Sequence, residues 1–141
     1  MPLPRLDSLV SIGKLKAEAP ARTEVEGLIR SATARINDAE IATLSIESRF
    51  DLAYNAAHAF ALAALRFHGY RSEHRYIVFQ VLPDTLQLAA AQWRVLDQAH
   101  SRRNRAEYEG DVDLETTVVD AIIRIVRELE KRVTALDLST I

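Results

Sequence analysis

The chain has 141 residues, with 18 Lys plus Arg against 20 Asp plus Glu for a formal net charge of −2, 48% hydrophobic residues and no Cys. This length suits one domain that buries roughly 70% of the surface its unfolded chain exposes, and so large an apolar fraction excludes a disordered chain. The missing Cys excludes a disulfide framework, a thiolate metal site and a cysteine nucleophile, while the near-neutral balance excludes a broadly basic nucleic-acid-binding surface.

The start, Met1-Pro-Leu-Pro-Arg-Leu-Asp, lacks the basic-then-apolar order of a signal peptide. The longest uncharged stretch, Leu52 to Leu65, is too short to cross a bilayer and contains Asn55 and His58. A cytoplasmic protein without membrane contact is expected. Along the chain, Asp7 to Ala19 reads as a first short helix, and Thr23 as the cap of a second that runs to about Thr43, with Glu24 and Glu26 favourable in its first turn. Ser45 or Ser48 opens a third helix that continues to His68 and ends at Gly69. Its Phe50, Ala53, Ala57, Phe60, Ala64 and Phe67 form one stripe, and further Ala and Leu cover much of the rest, which places it at the centre of a bundle.

Tyr76 to Leu82 has the β-branched and aromatic composition of a strand, but no partner strand is evident, so it reads as a short buried helix or an irregular apolar connector. Pro83 and Asp84 open a helical region that passes through Trp93 to Tyr108, with Gly110 just beyond. Asp111 or Asp113 caps the last helix, an amphipath with Leu114, Val118, Ile122, Ile125, Leu129, Val133 and Leu136 on one face. The expected architecture is all-α, one antiparallel up-and-down bundle of about five helices, in which 1–20 supply an N-terminal helix and linker and 23–136 the core.

Chemistry has few places to sit. His58, His68, His74 and His100 have no metal-ligand spacing, so neither metal nor cofactor is expected, and phosphate-loop and nucleophile-turn motifs are absent. Asp51, Asn55 and His58 share a face of the central helix, either as a wet or hydrogen-bonded edge or as the polar lining of a groove. From Trp93 to Tyr108 the chain reads WRVLDQAHSRRNRAEY. Leu96, Ala99 and Ala106 face inward, and Arg94, Gln98, Arg102 and Arg105 outward. Arg103 falls on the apolar side and needs a partner, which Glu107 at i+4 supplies, with His100 beside it; that pair is either architectural or part of a site.

IESRFDLAYNAAHAFALAALRFHGYR, HRYIVFQVLP and RRNRAEYEG together resemble the central helix, connector and motif helix of the HEPN-domain family. These are helical-bundle proteins of prokaryotic toxin–antitoxin type, often found beside minimal nucleotidyltransferases. The resemblance implies a HEPN-like homodimer, a minimal nucleotidyltransferase as partner, and RNA or nucleotide as ligand. In active members an Arg-polar-x-x-x-His motif from two subunits forms a metal-independent ribonuclease site. Here Arg103 matches the Arg and Asn104 the polar position, while the His position falls on Tyr108, or on Glu107 in the frame of Arg102. The resemblance thus implies a degenerate Arg103-Asn104-x-x-x-Tyr108 site, with Asp51, Asn55, His58, His100, Arg102 and Glu107 as ligand-binding candidates. The alternatives are an endoribonuclease that uses Tyr108 or His100 as the acid–base group, and a purely structural helical dimer. The cluster Arg102, Arg103 and Arg105 makes a local basic edge that the neutral total conceals and a two-fold dimer doubles.

Overall fold

Ile46–Phe67 has no wholly polar face, and the rest of the chain is arranged around it. The computed structural model describes residues 3–110 and 115–141, without the side chains of Glu107 and Glu109. The elements, in order, are α1 (Pro4–Ser11), β1 (Lys16–Ala17), α2 (Arg22–Ala39), α3 (Ile46–Phe67), β2 (Tyr70–Arg71), α4 (Arg75–Gln80), α5 (Leu82–Thr85), α6 (Ala90–Glu109), α7 (Thr116–Thr134) and a closing 3-10 turn at Leu138–Thr140. The chain is an all-α bundle, and four long helices carry it.

Ser45 caps α3, its side chain accepting from the Ser48 N–H, and Gly69 follows the last turn in the left-handed region at φ 89°. Ala53, Ala56, Ala57, Ala61, Ala63 and Ala64 are wholly buried, and their small side chains let neighbouring helices approach closely. Contacts at both ends set the directions. Arg49, early in α3, donates to the Ala39 carbonyl at the end of α2, while Arg66, late in α3, reaches Glu24 in the first turn of α2, so the two are antiparallel. Arg49 also meets Asp120 near the start of α7, which runs parallel to α3. Tyr54 of α3 meets His100 of α6, and Asp51 lies across from Ala106, so α6 runs against α3. The long helices therefore alternate up, down, up, down, the antiparallel order expected of the bundle.

Several boundaries differ from the sequence expectation. The first helix is Pro4–Ser11 rather than Asp7 to Ala19, because Gly13 turns the chain at φ 77° and Lys16–Ala17 pair antiparallel with Tyr70–Arg71. This small ladder was not legible, since two residues per strand carry no alternation to read. The second helix starts at Arg22, with no side-chain cap at Ala21, and ends at Ala39 rather than Thr43. Tyr76 to Leu82 is helical over most of its length, with Val78 and Phe79 buried in α4. The region opened by Pro83 and Asp84 is not continuous: α5 stops at Thr85, and Gln87 turns the chain at φ 54° before α6 begins at Ala90. That break buries Leu86 and Leu88 along with Leu82. The expected caps Asp111 and Asp113 lie outside the described residues; α7 begins at Thr116.

Arg66 is the charged residue most deeply enclosed in this core, at 1% exposure. Its guanidinium bonds Glu24 at 2.5 Å and the carbonyls of Glu18, Ala19 and Tyr70 at 3.0, 2.8 and 3.1 Å. Arg71 joins the same carboxylates of Glu18 and Glu24, and the two guanidiniums hold the Glu24 carboxyl below its ordinary pKa. Arg66 thereby ties α3 to α2 and to the segment that leads into it. Removing Arg66 takes the donor from these carbonyls and carboxylates together and empties the buried volume that its side chain fills. Arg66→Ala is expected to destabilise the fold by about 3 kcal/mol in urea unfolding; a loss below about 1 kcal/mol, the range of an exposed pair, would contradict this account.

Candidate anion-binding cleft

Tyr54 sits at the middle of α3 and is 1% exposed, so its hydroxyl needs a partner inside the fold. His100 of α6 provides it, with Tyr54 Oη 3.0 Å from His100 Nδ1. The other ring nitrogen, Nε2, lies 3.3 Å from Asn104 Nδ2, one turn further along α6. The imidazole is thus held at both nitrogens, and its plane is fixed. Two guanidiniums rest on the Tyr54 ring: that of Arg103 is 5.2 Å from the centroid and that of Arg75 5.6 Å. A cation over an aromatic face is attracted by the ring quadrupole, which offsets part of the cost of holding two like charges around one ring. Asn55 steadies the second, its Oδ1 accepting from Arg75 Nη1 at 3.0 Å while its Nδ2 donates to the Asp51 carbonyl.

Beside these groups opens a cleft of about 350 Å³ lined by Asp51, Asn55, Arg103 and Ala106. His58 stands one turn beyond Asn55 on α3, edge-on to Phe79. Burial, and then the charges of Arg75 and Arg103, push its pKa down to about 4. The same causes lower that of His100, burial first, then Arg103 and Arg75, against an opposing pull from Asp97. Both imidazoles are therefore neutral at pH 7 beside two fixed positive charges. Tyr76, 43% exposed, packs its ring on Trp93 and lies 5.8 Å from His100. The arrangement places the Arg103 guanidinium in the cleft wall and that of Arg75 behind it on Asn55, with a neutral imidazole and an exposed aromatic ring nearby, groups suited to an anion and to proton transfer.

Asp51, Asn55 and Arg103 line this cleft, while His58 and His100 lie within the field of Arg103 and Arg75 and Asn104 rests on His100, next to the lining rather than in it. The structure separates others. Arg102 points into a different groove, between α6 and α7, with Val95, Gln98 and Val118. Tyr108 is 80% exposed and is not among the residues that line the cleft. The Glu107 side chain lies outside the described residues, and with it the expected Arg103–Glu107 pair; Arg103 is half-buried, and its guanidinium lies over the Tyr54 ring. Sequence reasoning missed Tyr54, Arg75 and Tyr76. A usable signal existed in each case: a phenol amid alanines on the most buried helix, and an Arg and Tyr leading an apolar connector. Among the described residues, no three potential metal ligands gather, and no helix is long and apolar enough to cross a membrane.

The depressed His58 has a consequence for stability. Its pKa falls from the usual 6.5 to about 4 on folding, so between those values the unfolded chain binds the extra proton. The contribution is complete above pH 6.5 and is lost progressively as pH falls toward 4. A ring-proton titration is expected to keep His58 neutral at pH 5, and His58→Leu to flatten the fall in stability between pH 6.5 and 4. A His58 that titrates near its ordinary value would contradict the described environment.

Compared with family models, curated proteins and solved structures, the chain matches none of them.

Proposed function

We propose that this chain is a HEPN-like homodimeric binding module that takes RNA or nucleotide phosphate into the cleft between α3 and α6, with Arg75 of α4 beside it. The observation that carries the reading is the convergence of Arg75 and Arg103 on the buried Tyr54 ring beside an open cleft. Paired guanidiniums suit a phosphate because their planar donor forks match its oxygens. The exposed Tyr76 ring beside His100 favours a nucleotide over free phosphate, since a base stacks on such a face without sequence preference. Asp51 at the rim is the exception in charge, and its carboxylate suits a sugar hydroxyl or base N–H rather than a second phosphate. Two copies related by a two-fold axis would double the cationic edge, which matters for a chain whose net charge is −2. Association with a minimal nucleotidyltransferase or a toxin–antitoxin system belongs to the same reading.

A second reading, metal-independent endoribonuclease, is favoured by one observation. His100 is held at both nitrogens beside Arg103, with its pKa lowered rather than raised, which suits a general base next to a group that stabilises charge. His100 suits that role better than Tyr108, whose side chain is 80% exposed, because His100 lies in the field of Arg103.

Binding of a labelled single-stranded RNA, followed by anisotropy at low salt, tests the proposal. Arg75→Ala and Arg103→Ala should each weaken binding roughly tenfold or more, and Tyr76→Ala by about as much, because one stacked base contributes roughly 1–3 kcal/mol. Arg94→Ala, exposed on the opposite side of α6, should leave it nearly unchanged. Equal affinities across the four variants would overturn the site. RNA incubated with protein in EDTA separates the readings: cleavage abolished by His100→Ala assigns catalysis, and binding without cleavage leaves the module.

A further inference from the structure

Among the described residues that line the anion-binding cleft, Asp51 alone is acidic. It is exposed, and its backbone carbonyl accepts from Asn55 Nδ2. Its carboxylate has neither an ion pair nor a hydrogen bond among the described residues, although Arg103 lines the same cleft. Asn55, one turn along α3, engages its amide with Arg75 and with that carbonyl, so the acceptor oxygens left to a ligand are those of Asp51. A carboxylate in the wall of a phosphate site repels the ligand unless the ligand brings it a donor. A carboxylate only accepts, so the ligand needs an O–H or N–H close to its phosphate.

Position decides which donor that is. The Tyr54–His100 contact sets the register of the antiparallel α3 and α6, so Asp51, early in α3, lies beside the late turns of α6 that carry Ala106. Tyr76 packs on Trp93 and His100, toward the start of α6. Ala106 and Trp93 are 13 residues apart, roughly 20 Å along the helix at 1.5 Å per residue, and Arg103 stands between them. A base stacked on Tyr76 is therefore on the far side of the Arg103 guanidinium from Asp51. On a nucleic-acid strand the group that follows a phosphate is the neighbouring sugar, and within the strand its donor is the ribose 2′-hydroxyl, which deoxyribose lacks. We propose that Asp51 accepts from this 2′-hydroxyl and so makes the cleft select RNA over DNA, a role that rests on the phosphate-binding reading above.

Anisotropy titrations with single strands of one sequence, made as RNA, 2′-fluoro RNA and DNA, test this in the full chain. The three carry the same backbone charge, so the general attraction to the arginines cancels in their ratios. The 2′-fluoro strand keeps an RNA-like sugar and has no O–H to donate. RNA is expected to bind roughly tenfold or more tighter than either other strand, the effect of one hydrogen bond to a charged group. Asp51→Ala, which leaves the backbone carbonyl bonded to Asn55, should erase that difference. Arg103→Ala should weaken all three strands and keep RNA ahead. Equal affinities for the three strands, all lowered by Arg103→Ala, would overturn the role of Asp51 and leave the anion cleft standing. A preference for RNA undiminished by Asp51→Ala would overturn it as well, and binding of none of the strands would overturn both readings.

Discussion

A helix enclosed by its neighbours cannot leave polar side chains to water, and α3 carries several. Arg66 and Tyr54 are each 1% exposed, and Asn55 and His58 are half-buried. Each must find its partner on another element, because an unpaired buried polar group is costly. Arg66 finds Glu24 and the carbonyls of the segment before α2, which fixes that end of the bundle. Tyr54 finds His100 on α6, and Asn55 finds Arg75 on α4. The same requirement that orders the fold therefore draws α4 and α6 onto α3, with a cleft between α3 and α6.

The electrostatics of that face follow from its aromatic floor. Two guanidiniums at 5.2 and 5.6 Å from one ring centroid would repel each other in a bare pocket, and the Tyr54 quadrupole offsets part of that repulsion. Their field, added to burial, keeps His58 and His100 neutral, so the positive charge of the cleft at neutral pH belongs to the arginines alone. A net charge of −2 over the whole chain is consistent with this, because charge is distributed locally and a cleft focuses it.

How much of this is legible in the sequence depends on the range of the interaction. The central helix was readable because it is long and apolar on most sides, and its ends because Ser45 and Gly69 act through neighbours in sequence. Asp51, Asn55 and His58 declared themselves as polar interruptions of an apolar cylinder. What escaped was decided by distant partners. Tyr70–Arg71 pairs with Lys16–Ala17 across more than 50 residues, and Gln87 turns the chain at a position where no Gly or Asn signals a left-handed residue. The spacing puts Arg103 on the inward side, and the aromatic ring on which its guanidinium rests, on another helix, is a contact that spacing along one helix does not disclose. Local spacing shows that a group needs a partner and leaves the choice to the tertiary fold.

The central claim is that Arg75 and Arg103 act together on one anionic ligand. Its most direct test is a titration of a short single-stranded oligoribonucleotide into protein isotope-labelled at its arginines, following the side-chain Nε–Hε signals. The account predicts that the signals of Arg75 and Arg103 shift together with one saturating curve, while that of the buried Arg66 stays in place. Shifts confined to exposed arginines such as Arg94 and Arg105, with Arg75 and Arg103 unmoved, would contradict it.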